Sequence, residues 1–207
     1  MGRSSLIEAI VLQSFDVGEA DRFLILLTRE RGRIAARAPG VRRLKSRMGG
    51  ALLPFSHLTI DMKEHGSGWF ISGVSDRTML PRRTNIAEFL VITRCAEALL
   101  SLLHDEGAVP EIFDLTLALM QRPALAPHHV FTFTLRLFHL LGVLPERSHA
   151  HFAAFSPAEL AFAERSIAGE WPDPDHPMPN VRRLCETMTA EHASRSQRTP
   201  QIILACQ

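Results

Sequence analysis

The chain has 207 residues, 46% of them hydrophobic and 22% charged, with 12 Gly and 13 Pro. These proportions belong to a chain that buries a core, and they exclude collagen-like, low-complexity and disordered material. The formal net charge of +1 hides an asymmetry: residues 1–83 carry 14 Lys/Arg against 8 Asp/Glu, whereas residues 84–207 carry 9 against 14. Three widely spaced cysteines (Cys95, Cys185, Cys206) cannot build a disulfide framework and point to reduced thiols in a cytoplasm. The first apolar run is broken by Glu8 and Gln13, which argues against a secretory signal. The stretch from Phe131 to Leu144 is cut by Arg136 and His139, too soon for a membrane helix.

Residues 1–80 have the pattern of short strands. LIEAIVLQ alternates with Ile7, Ala9 and Val11 on one side, and RFLILLT sets Phe23, Ile25 and Leu27 on one face. Asp16-Val17-Gly18 supplies the turn between them. After a turn at Gly32, GRIAARA alternates Arg33, Ala35 and Arg37 with Ile34, Ala36 and Ala38, and Pro39-Gly40 ends it. FSHLTIDMKE, with Leu58, Ile60 and Met62 inward, and WFISGVS complete the set. Five strands at this spacing predict a small barrel of the OB type.

From Pro81 the period becomes helical. Asn85 and Glu88 form an N-cap and N3 pair for a helix to about Leu103, and a second runs from about Pro110 to Met120. A third begins near Pro127 and stops at Gly142, with Pro145 beyond. Ser156-Pro157-Ala158-Glu159 is a helix start with cap, proline and acid in the preferred places. WPDPDHPMP is a loop, and a last helix covers about Asn180 to Ala193. The predicted organisation is therefore α+β, with a barrel over 1–80 and an all-helical domain over 81–207.

The densest chemical signal is RIAARAPGVRRLKSRMGG. Eight cations (Arg29, Arg31, Arg33, Arg37, Arg42, Arg43, Lys45, Arg47) face one anion, Glu30, between residues 29 and 47. Cations on a barrel strand and its following loop suit sequence-independent binding of a nucleic-acid backbone. A merely solvated loop is the bland alternative. Phe15, Phe23, Phe55, Trp69 and Phe70 are candidate base-stacking platforms, Trp69 foremost because Gly66 and Gly68 flank it. The histidine pairs His128-His129 and His149/His151 lack cysteines at zinc spacing, so no metal is expected. No phosphate loop, nucleophile elbow or zincin motif occurs, and Cys95 lies in an apolar helix, so no catalysis is expected.

EAIVLQSFDVGEADRFLILLTRERGRIAARAPGVRRLKSRMGGALLPFSHL resembles the N-terminal module of the bacterial recombination mediator family RecO. The elements are E-A-I-V-L, G-E-x-D-R, L-T-x-E-x-G-R, and G-x-R-R-x-K-S-R-x-G-G followed by P-F, in order over about 55 residues. F-x-L-R-L-F-H-L-L-G-V-L-P and RTPQIIL are compatible with the family's helical domain.

The resemblance implies an OB-fold, no enzymatic activity, no cofactor, and binding and annealing of single- and double-stranded DNA. It further implies action in the cytoplasm at the nucleoid, with RecR, to help RecA replace the single-strand-binding protein SSB. It maps DNA contacts onto Arg42, Arg43, Lys45 and Arg47, with Arg33 and Arg37 leading in and Gly40, Gly49 and Gly50 shaping the loop. The SSB tail would dock on the helical domain, for which Arg136 and Arg94 are the candidates. The stretch from Pro145 to Pro157 lacks the four zinc cysteines of many members and is short, and His129-Val130-Phe131-Thr132-Phe133 replaces their charged helix entry. From the residues alone, an RNA-binding barrel and an interaction scaffold remain alternatives.

Overall fold

A computed structural model describes residues 4–44, 46, 48–66, 68–81, 83, 85–103 and 107–196. The strands are β1 (Ser4–Val17), β2 (Asp21–Thr28), β3 (Gly32–Ala38), β4 (His57–His65) and β5 (Gly68–Thr78). They close into a barrel in the order β1-β2-β3-β5-β4, antiparallel except for β3 against β5. The helices are α1 (Ile86–Leu102), α2 (Pro110–Gln121), α3 (His129–Leu140), α4 (Pro157–Ile167) and α5 (Pro179–Ser196).

Alternation fills the barrel: Ile7, Ala9, Val11, Leu24, Leu26, Ile34, Ala36, Leu58, Ile60, Met62 and Ile71 are buried together. In β2 the inward residues are Leu24 and Leu26, so Phe23, Ile25 and Leu27 form the outward face. The hairpin glycine Gly32 has φ +69°, and a side chain there would strike the Gly107 backbone.

The chain divides into two compact units, and the division is not the simple cut after residue 80 that the change of period suggests. Residues 1–84 and 103–124 form one unit, so α2 belongs with the barrel; residues 85–102 and 125–207 form the other. With α2 included, the barrel unit holds 15 Lys/Arg against 12 Asp/Glu, a smaller excess than residues 1–83 alone carry.

The attachment of α2 has a clear physical basis. Phe113 is fully buried, with the His57 ring edge-on at 5.8 Å and the Arg29 guanidinium 4.7 Å above it. Arg29 bridges Glu8 and Asp114, each at 2.7 Å, while His57 Nε2 lies 2.8 Å from Glu8 Oε1. Burial raises the Glu8 carboxyl, but hydrogen bonds from Arg29 and His57 outweigh it and hold it below the usual range. Arg83 donates to the carbonyls of Met120 and Arg122, closing the C-terminus of α2.

In the second unit, α3 packs against α1, α4 and α5, and Phe133, Leu137 and Phe138 are fully buried. Leu135 is buried as well, as its helical spacing suggests. Ser156 and Glu159 close a complete capping box on α4. Asn85 caps α1 through the Ala87 amide, but Glu88 reaches forward to the Leu125 amide at 2.9 Å. Among the described residues, no helix is long and apolar enough to cross a membrane.

Candidate nucleic-acid interface

The described part of the basic segment is stapled to the β1–β2 turn. Asp21, the first residue of β2, accepts the Gly40 amide at 2.7 Å on one oxygen. Its other oxygen accepts from Arg37 Nε at 2.9 Å and Nη2 at 2.7 Å. The Gly40 hydrogen bond, then the Arg37 guanidinium, hold the Asp21 carboxyl below its ordinary range. Gly40 needs its φ of +67° for the chain to leave β3 at that point.

Arg42 donates to the Gly18 carbonyl at 2.9 Å and lies 3.3 Å from Asp16, while its own amide bonds Ala20 O. Arg22, largely buried, donates to Leu52 O at 3.1 Å and Gly49 O at 3.4 Å, and so fixes the returning arm. Gly49 lies so close to Val41 that a Cβ would stand 2.7 Å from its carbonyl; Gly50 is in open space.

The sequence candidates therefore occupy distinct positions. Arg33 and Arg37 share the outward face of β3, but Arg37 is committed to Asp21. Arg42 and Arg43 are both exposed; Arg42 is braced by Asp16, and Arg43 makes no ion pair among the described residues. Leu44 is fully exposed beside it. Lys45 and Arg47 lie outside the described residues, as does RTPQIIL. Trp69 faces inward against the barrel core, and Arg31 covers its ring at 4.5 Å. Phe55 sits at the loop's end with φ +64°, its amide bonded to Val11 O at 2.7 Å.

In the helical unit, Arg136 is held by contacts beyond its own helix. Its Nε donates to Ser166 O at 2.6 Å and its guanidinium lies 5.0 Å from the Trp171 ring centre, which ties α3 to α4. Arg94 is exposed on α1, near the exposed Ile86, Phe89 and Leu90.

Among the described residues, His128, His129 and Asp173 bring possible metal-ligating atoms within 4.8 Å of one another. His129 Nδ1 accepts the Ala126 amide at 2.9 Å, which places the ring proton on Nε2 and leaves neither nitrogen a spare lone pair. The set does not fit a metal; His128 Nε2 instead faces Asp173 at 2.9 Å, tying the proline-rich loop to the start of α3. Burial pushes the Cys95 and Cys185 thiols up, away from nucleophilic use.

A closed barrel of this strand order with a cationic loop between its third and fourth strands is an OB-fold module. The family model described as "Recombination protein O N terminal" matches residues 1–73. The chain is 32% identical over 143 residues to the "DNA repair protein RecO" of Anaeromyxobacter dehalogenans, 66% of this chain and 56% of that protein. It is 29% identical over 176 residues to that of Myxococcus xanthus, 78% of this chain and 68% of the relative. Over 57 residues, 28% of this chain and 23% of the relative, it is 54% identical to that of a Nocardioides species. Residues 1–73 form a module of the RecO N-terminal family, and the chain is similar over longer stretches to RecO repair proteins. The stretches matched in the Nocardioides and Anaeromyxobacter proteins span 23% and 56% of their lengths.

Proposed function

We propose that this chain is a non-enzymatic, cofactor-free DNA-binding protein of recombinational DNA repair. In this reading it binds single- and double-stranded DNA and anneals complementary strands. With RecR, it assists the loading of RecA on SSB-coated single strands, working in the cytoplasm at the nucleoid. The observation that carries the reading is the cationic loop whose arms are braced on the barrel by Asp21, Asp16 and Arg22. A braced loop presents Arg42 and Arg43 to phosphates without the ordering cost of a loose one. The names of the curated relatives support the repair role.

For the SSB tail, the bonds of Arg136 to Ser166 and Trp171 favour Arg94, beside the apolar Ile86, Phe89 and Leu90. The deciding experiment is annealing of SSB-coated complementary strands, with and without RecR. The reading expects acceleration over the uncatalysed rate; a rate equal to buffer in both arms would contradict it.

A further inference from the structure

Two cross-strand rows on the barrel's outside carry apolar side chains, and α2 covers one of them. The cross-strand row His57–Ile10–Leu27 lies at the α2 side: all are buried, and His57 touches Phe113. The second row runs Phe15 (β1), Phe23 (β2), Arg37 (β3), Phe70 (β5) and Lys63 (β4), each the direct partner of the next.

Direct partners share a face of a sheet, and here it is the outer one. The inward neighbours confirm it, for Leu24, Ala36 and Ile71 are all in the core. Phe15 is 42% exposed, and Phe23, Arg37 and Phe70 are partly so. Phe15 to Phe70 across four strands covers about 14 Å, three strand spacings. The row borders the cationic loop, because Arg42 bonds Gly18 and Asp16 next to Phe15.

We propose that this row is a stacking platform for the unpaired bases of single-stranded DNA; the proposal rests on the DNA-binding reading above. Asp21 grips Arg37 through Nε and Nη2 and so takes it out of competition for phosphates. The held guanidinium then serves as a planar element between Phe23 and Phe70, since guanidinium planes stack on π-faces as rings do. The strand's phosphates would run toward Arg42 and Arg43. Sheets that use aromatics in this way hold two or three bases, which suits a row of this length. Trp69, turned inward, takes no part.

The test compares an oligothymidylate of about 16 nucleotides with an abasic strand of equal length. Wild-type protein is expected to bind the base-bearing strand about tenfold more tightly. Combined Phe15→Leu, Phe23→Leu and Phe70→Leu, which keep apolar bulk but remove the π-faces, should abolish most of that preference. Affinity for the abasic strand and for duplex, and the thermal midpoint, should stay unchanged. Arg42→Ala with Arg43→Ala should weaken both strands equally and leave the preference intact. Equal wild-type binding of both strands, a preference that survives the leucine variant, or equal loss on both strands in that variant would overturn the platform alone. Binding of neither strand by wild type would overturn the DNA-binding reading and the platform with it.

Discussion

The Asp21 carboxylate accepts the Gly40 backbone amide at 2.7 Å, joining the start of β2 to the exit of β3 across the loop's mouth. With Arg37 on its second oxygen, Asp21 sets both the departure angle of the loop and the position of a β3 cation. Asp21→Asn removes the ion pair and weakens the acceptor. Hydrogen exchange at the Gly40 and Arg42 amides should quicken, while amides of α3 in the other unit keep their protection. Unchanged exchange at Gly40 would show that the loop is held by something else.

Acid should loosen the same contacts. Asp21, Glu8 and Glu159 all titrate below their ordinary values of 3.8, 4.5 and 4.5 in the folded chain. A carboxyl depressed on folding contributes stability that is fully present above its unfolded pKa and lost as pH falls through the folded one. Urea midpoints should therefore hold steady at pH 6 to 7, a window above all three ordinary values, and fall as the pH drops below about 4.5. A midpoint that rises on acidification would contradict these assignments.

Glu159 carries more than its own helix cap. Its burial raises the carboxyl, but bonds from Asn180 and Ser156 outweigh this. The Asn180 amide reaches it at 2.7 Å, so one buried carboxylate anchors the first turns of both α4 and α5. Glu159→Ala should cost about 1–3 kcal/mol, because the amides it serves lose a charged acceptor. Chemical denaturation would measure it. A change within about 0.5 kcal/mol would place the junction elsewhere.

The assignment of α2 to the barrel unit is open to a direct check. Phe113→Ala empties a fully buried site and should destabilise by about 3–5 kcal/mol. Amides of α2 and of β1 should lose protection together, because Arg29 and Glu8 join them. If α2 instead opened together with α1, the unit boundary would be misplaced.

The barrel was legible because alternation is a local signal. Ile7, Ala9 and Val11, then Leu58, Ile60 and Met62, sit inward as their spacing requires. β2 was ambiguous because it is apolar on both faces; only pairing with β1 and β3 shows Phe23 and Ile25 to be outside. The helical period of α2 announces a helix but not its partner, which His57 and Arg29 select from far along the chain.

The loop's charge could be counted, but its bracing could not. Asp21 to Arg37 and Arg42 to Asp16 depend on hairpin register rather than on spacing. The partner of Arg136 was hidden for a similar reason: its acceptor, Ser166 O, belongs to another helix.

The central claim is that the 42–47 loop binds DNA through its phosphates, and salt dependence tests it most directly. With about four phosphates neutralised, log K for single-stranded DNA should fall against log salt with a slope of about −3. Replacing Arg42, Arg43, Lys45 and Arg47 together by alanine should bring the slope close to zero. A quadruple variant that keeps the wild-type slope would contradict the claim.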